Sequence, residues 1–268
     1  MKYIFSAWGI NIKIDIYDCI RLASKYNFDG IMFGIKDVKD VTRVKKYLEY
    51  YRILPAIYYH RFVLCEDYNL LAKQLNNLEL YASCAALLGS RAFMISIIPG
   101  SNIWGYEENY KFHLEYLTVI ADILRTYNII LCLEFVNEPQ LSFKYNFINT
   151  AQELFYLVQD ISKENVKMVL DSYHLYRSKE LYEFDPVKFY PYIEIMQLND
   201  VVENISGGDG NRTLPNMVGN IDSNMILQKL EKIDYKGYIM VELCNRSLCT
   251  FGIEEIFCKV RKSLEKNF

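Results

Sequence analysis

Four oxygen-bearing residues stand at the ends of short apolar runs in the second half of this chain. They are Glu134 in Leu133-Glu134-Phe135, Asp171 after Val169-Leu170, Gln197 in Met196-Gln197-Leu198, and Glu242 in Val241-Glu242-Leu243. An acid flanked by apolar residues faces a large desolvation cost unless it is paired, hydrogen-bonded or metal-bound. Any one alone reads as a satisfied rim residue, but four in successive runs make coincidence a poor account. Together they offer carboxylates and one amide oxygen, a hard-oxygen set that suits one Mn²⁺ or Mg²⁺, with Zn²⁺ or Co²⁺ also compatible. A cation there would offset the repulsion of the acids and polarise a carbonyl or hydroxyl of a bound polyol. Glu134 and Glu242, on different strands, would address opposite faces of one carbon, as proton removal and return beside a carbonyl requires.

The elements that must position these groups follow from the hydrophobic pattern. Short runs rich in β-branched and aromatic residues alternate with longer amphipathic stretches, the signature of βα units around a parallel sheet. The spacing predicts strands at Tyr3–Trp8, Gly30–Gly34, Ile53–Tyr59, Arg91–Ile97, Ile129–Phe135, Lys167–Asp171, Ile193–Leu198 and Tyr238–Glu242. Between them Ile16, Cys19, Ile20 and Ala23 form a helical stripe, and Leu71, Leu75, Leu78 and Ala82 form another between an Asp67 cap and Gly89. Asp222 caps a further helix carrying Ile226, Leu227, Leu230 and Ile233 and ending near Gly237. Units of about 33 residues each match a strand, a helix and two loops. The expected fold is an α/β single (β/α)8 TIM barrel, one domain over residues 1–268, with its chemistry at the C-terminal strand ends. An open doubly wound sheet is the other candidate, but Ser6-Ala7-Trp8-Gly9 is not the Gly-rich turn a dinucleotide site needs.

Composition narrows the function. The chain of 268 residues is 51% hydrophobic and 24% charged, enough apolar surface for a full core, and its net charge of -3 favours no nucleic acid. No stretch reaches the ~20 apolar residues of a membrane span, and charge interrupts the start before any signal-peptide core, so a cytoplasmic protein without membrane partners is expected. The 7 cysteines are scattered with no C-x-x-C pair, which predicts reduced thiols. Of the 3 histidines, His60 follows a strand end and can overlook the pocket, His113 lies in a helical stretch as a structural or solvent-facing residue, and His174 stands between the two readings on spacing alone. Trp8 and Trp104, with Phe33 and Tyr58, could form a sugar-binding wall or pack the core and rim.

The stretches LEF at 133–135, NVKMVLDSYHLYRS at 165–178, MQLND at 196–200, RTLPNMVGNID from Arg212 and GYIMVEL at 237–243 resemble the sugar phosphate isomerase/epimerase branch of the xylose isomerase-like TIM barrels. That group includes ketose 3-epimerases, hydroxypyruvate isomerase, inosose dehydratase and endonuclease IV. The resemblance implies that Glu134, Asp171, Gln197 and Glu242 are metal ligands, with Glu134 and Glu242 doubling as the catalytic acid/base pair. It implies that His174 and Arg212 contact substrate oxygens, beside the candidate substrate contacts His60 and Trp8. The implied partner is a small sugar or polyol, and a homo-oligomer stays open. Departures exist. Gln197 replaces a frequent histidine, Asn220 a frequent glutamate, Gln140 stands near a further acid of some epimerases, and Asn216-Met217-Val218 lengthens the turn before Gly219.

The expected activity is therefore metal-dependent isomerisation or epimerisation of a sugar, sugar phosphate or keto-polyol through an enediolate. Inosose-type dehydration begins with the same proton abstraction and remains the nearest alternative, and a noncatalytic sugar-sensing barrel is the other. A trinuclear nuclease site would need more histidines than the 3 present.

Overall fold

The computed structural model describes residues 1–65, 67–202, 211–217 and 219–265. Eight parallel strands close into a barrel: β1 (Lys2–Ser6), β2 (Gly30–Gly34), β3 (Leu54–Tyr59), β4 (Ala92–Ile97), β5 (Ile130–Phe135), β6 (Val166–Asp171), β7 (Ile193–Leu198) and β8 (Tyr238–Val241). Each strand pairs with the next in sequence, and β8 returns to β1 through Lys2 opposite Tyr238. The expected (β/α)8 architecture is what the chain adopts.

The helices form where caps and stripes predict them. Asp15 caps α1 (Ile16–Lys25), Asp40 caps α2 (Val41–Tyr51), and Asp67 opens α3 (Tyr68–Leu88), which Gly89 ends at a φ of 93°. They are followed by α4 (Tyr106–Thr126), α5 (Ala151–Ile161), two short helices α6 (Ser172–Arg177) and α7 (Pro186–Phe189), α8 (Ser223–Lys232) and α9 (Ile253–Ser263). Ile233 is the C-cap of α8 rather than part of it. Phe257 of α9 stacks on Phe5 of β1 at 3.6 Å, which seats the last helix against the first strand. Among the described residues no helix is long and apolar enough to cross a membrane.

Period-2 alternation separates two cores. Ile4, Met32, Ile57, Met94, Cys132, Val169, Ile195 and Met240 form part of an apolar plug inside the barrel, while their neighbours in sequence join the larger core shared with the helices. Two residues beyond each of Cys132, Val169, Ile195 and Met240 stands Glu134, Asp171, Gln197 or Glu242. The same alternation therefore turns these side chains inward, directly above the plug. Beyond the strands, two antiparallel ribbons stitch the upper loops, Gly100–Ser101 with Tyr145–Asn146 and Asp200–Val201 with Arg212–Thr213. β1 stops at Ser6 rather than Trp8, because Gly9 donates its amide to Ser6 Oγ at 2.9 Å and the chain turns.

Candidate active site

The ladder sets the acids in place. Asp171 lies opposite Gln197, Glu134 opposite Ser96 and Val169, and Glu242 follows Val241, whose partner is Leu198. Asp171 is wholly buried and ends β6 as the N-cap of α6. Its Oδ1 accepts from the Tyr173 amide at 2.6 Å and the Asn199 side-chain amide at 3.0 Å, and its Oδ2 from Arg212 Nη1 at 2.8 Å. Asn199 also receives and donates hydrogen bonds with Ser172, so the L-N-D sequence after β7 fixes the end of β6.

Arg212 arrives on the ribbon that pairs with Asp200–Val201 and is buried. Its Nη1 reaches Glu242 Oε2 at 3.3 Å as well as Asp171, its Nη2 faces His174 Nε2 at 3.3 Å, and Tyr173 covers the guanidinium at 4.2 Å. His174 Nδ1 lies 3.2 Å from both the backbone amide and the carbonyl of Asn137. Asn245 holds the Arg212 carbonyl at 2.7 Å.

Opposed influences act on the two carboxyls that Arg212 joins. Burial raises Asp171, but Arg212, then His174 and Asn199, outweigh it and hold the group below its ordinary value. Burial, then the charges of Glu134 and Asp171, push Glu242 well above its ordinary value despite Arg212. The same guanidinium thus joins one carboxyl held down and one pushed up. Glu134 accepts from Ser96 Oγ at 2.6 Å, across β4 and β5.

The residues fit a divalent cation. Donor atoms of Glu134, Asp171 and His174, all buried, lie within 4.8 Å of one another. Gln197 Oε1 and Glu242 Oε1 are buried and have no hydrogen-bond partner among the described residues, while the Gln197 amide nitrogen rests on Met94 Sδ at 3.6 Å. The fold thus brings Glu134, Asp171, His174, Arg212 and Glu242 together at the barrel mouth, and sets Gln197 beside Asp171 in the ladder.

His60 and Trp8 stand apart from this group. They line a cavity of about 570 Å³ above β1 to β3, with Phe33 and Tyr59. His60 is stacked on Phe93 at 4.6 Å, and Trp8 lies tilted against Tyr59 with ring centres 4.8 Å apart. Tyr58 is wholly buried and stacked on Phe93, so it is core, and Trp104 packs on Phe112 at 4.6 Å away from the acids. His113 is buried in α4, its Nδ1 2.9 Å from the Asn109 carbonyl, a structural histidine. Sequence reasoning missed Ser96, Asn199, Asn245 and Tyr173. It also missed Glu138, which accepts from the Tyr173 hydroxyl at 3.1 Å, two residues before Gln140. Asn199 lay within a quoted motif, but only the β6–β7 register shows what it holds.

Known proteins share this architecture. A curated relative from Bacillus subtilis (strain 168), inosose isomerase, is 28% identical over 163 residues, 59% of this chain and 55% of that protein. D-psicose 3-epimerase from Agrobacterium fabrum is 27% identical over 134 residues, 50% of this chain and 42% of that protein. The chain thus spans about half the length of the curated relatives it matches. A solved structure of the IolI protein with a bound zinc atom superimposes with a TM-score of 0.81 at 22% identity, covering 98% of this chain and 96% of that one. The model of the xylose isomerase-like TIM barrel matches residues 20–266, nearly the whole chain, and the chain belongs to that family.

Proposed function

We propose that this protein is a divalent-metal-dependent isomerase or epimerase of a small sugar, keto-sugar or related polyol, acting in the cytoplasm as one domain over residues 1–268. The observation that supports the reading is the buried pair Asp171 and Glu242 on one guanidinium, with Glu134 within reach of Asp171, and Gln197 Oε1 and Glu242 Oε1 without a hydrogen-bond partner among the described residues. The relatives named isomerase and epimerase support the reaction class, and the 7 free cysteines suit a reducing compartment.

Glu134, Asp171, Gln197 and Glu242 would hold the cation, with His174 close enough to join them. Bound there, the ion supplies Lewis-acid polarisation of a substrate carbonyl and compensates the clustered negative charge. Three oxygen-bearing acids and an amide favour Mg²⁺ or Mn²⁺ over Zn²⁺ or Co²⁺. One of Glu134 and Glu242 removes the proton on the carbon next to the carbonyl, and the other, or the same one, returns it. Arg212 and His174 orient the substrate oxygens, and the apolar plug below excludes water from the floor.

The test is hydrogen exchange in D2O, followed by NMR, with Mg²⁺-loaded protein and small ketoses, hydroxypyruvate or inosose. Deuterium entering next to the carbonyl, and lost in Glu134→Gln and Glu242→Gln, establishes the proton transfer. Product stereochemistry separates epimerase from isomerase, and loss of water identifies a dehydratase. A protein that binds no metal and exchanges no proton on this panel rejects the isomerase reading in favour of a sensing barrel.

A further inference from the structure

The acids occupy the ends of β5 to β8, and the mouth above β1 to β3 is built from different chemistry. One wall of its cavity is aromatic, with Phe33, Tyr59 and Trp8, the last 41% exposed. Lys13, Lys36 and Arg61 line the same space against a single carboxylate, Asp37. None of these three cations makes an ion pair among the described residues. His60 is 6% exposed, lines the cavity, and neither ring nitrogen has a hydrogen-bond partner among the described residues. Solvated surface cations would account for the lysines and the arginine, but not for a buried imidazole left without partners, which is costly unless a ligand supplies them. Cys19 also lines this wall, and burial pushes its thiol up to about 12, so the cavity offers recognition rather than a nucleophile.

The cavity adjoins the acids. The Gly9 carbonyl accepts from the Leu243 and Cys244 amides at 2.6 and 2.9 Å, which holds the Trp8 turn against the end of β8. Tyr59 in turn feels the charges of both Arg61 and Glu242. A molecule with its carbonyl at Glu134 and Glu242 can therefore extend past Tyr59 toward the cations.

We propose that this cavity is a subsite for an anionic substituent, a phosphate or carboxylate, carried by the sugar whose carbonyl end reaches Glu134 and Glu242. This rests on the sugar-directed reading above. Lys36 and Arg61 supply charge-assisted donors, the Trp8 and Tyr59 faces cover sugar C–H groups, and His60 gives one N–H to the anion. Burial, then Lys36, hold the imidazole at about 4, so it is neutral until an anion arrives, and a bound anion raises it.

The experiment titrates the Mg²⁺-loaded full chain at low salt with D-fructose, D-fructose 6-phosphate, D-fructuronate and inorganic phosphate, by calorimetry, while NMR follows the His60 titration. At least one anionic sugar is expected to bind about tenfold tighter than D-fructose. The Lys36→Gln/Arg61→Gln double variant brings that sugar down to the affinity of D-fructose, and the anion that gained identifies the substituent. Equal affinity for neutral and anionic sugars, or a gain that survives the double variant, overturns the subsite while leaving the sugar reading in place. If no sugar binds, phosphate decides. Saturable binding that raises His60 and vanishes in the double variant keeps the subsite and removes the sugar reading, whereas phosphate that leaves His60 unmoved overturns the subsite.

Discussion

Arg212 and Asp171 meet at 2.8 Å with both side chains shut away from water, and the same guanidinium nitrogen lies 3.3 Å from Glu242. Removing the cation leaves two carboxyls facing each other in a medium of low polarity. Arg212→Met is therefore expected to destabilise the metal-free protein by about 3–5 kcal/mol. Urea denaturation measures this directly, and added Mg²⁺ should recover more stability in the variant than in the parent. A loss below about 1 kcal/mol would mean the pair relaxes to water, contrary to its burial.

Asp200 gathers three backbone amides, from Val201 and Gly219 at 2.8 Å and from Ile221 at 2.9 Å. It closes the loop that begins after Leu198 and anchors the ribbon bearing Arg212. Asp200→Ala strands buried donors and should cost about 2–4 kcal/mol. Hydrogen exchange should speed at Gly219 and Ile221 while the plug residues stay protected. Gly219→Ala should act on the same loop, since a Cβ there would sit 2.1 Å from Asp200 Oδ1.

The His60 imidazole ionises near 6.5 when the chain is unfolded and at about 4 in the fold, where burial opposes its charge. Between those values the unfolded chain binds more protons, so this residue drains stability as pH falls from about 6.5 to about 4, and the drain is constant below. The span amounts to about 3 kcal/mol. His60→Phe keeps a ring on Phe93 and removes the proton. Urea unfolding at pH 7, 5.5 and 4 should show the variant gaining on the parent by that amount, and a pH-independent difference between the two would contradict the assignment.

Ser96 donates to Glu134 Oε2 at 2.6 Å and so fixes that carboxylate. Ser96→Ala should lower the proton-exchange rate about tenfold with sugar affinity little changed, whereas Glu134→Gln should lower it by about 10²–10⁴. Equal losses for the two variants would show that Ser96 supports the fold around β4 and β5 rather than the orientation of Glu134.

The barrel was legible because alternation and punctuation agree along the chain. The strand from Ile193 to Leu198 begins and ends as its β-branched run predicts, and Asp67 and Gly89 bracket α3 as their types require. Glu134, Asp171, Gln197 and Glu242 were readable because each interrupts an apolar run at an inward position. Arg212 lies 41 residues from Asp171, and spacing alone says nothing of their contact. The family resemblance marked Arg212 as a substrate contact, but its pairing with two acids is a tertiary result. Asn199 shows the same limit, since its role depends on Asp171 lying opposite Gln197. His60 was placed at a strand end correctly, but its turn into the aromatic stack depends on Phe93 in the neighbouring strand. Of the lengthened turn, Asn216 donates to the Ser263 carbonyl at 3.2 Å and Val218 lies outside the described residues.

The two ribbons beyond the strands, at Gly100–Ser101 with Tyr145–Asn146 and at Asp200–Val201 with Arg212–Thr213, both sit over the half of the mouth that carries the acids. Among the described residues no such stitching joins the loops that follow β1, β2 and β3. Mutational freedom is therefore unequal around the rim. The stitched half is expected to resist insertion, while the unstitched half is expected to accept new side chains at positions such as Lys13, Lys36 and Arg61 without moving Glu134 or Glu242. On the proposed reading, a lineage of such barrels would change what it binds through the unstitched half while Glu134 and Glu242 stay where they are.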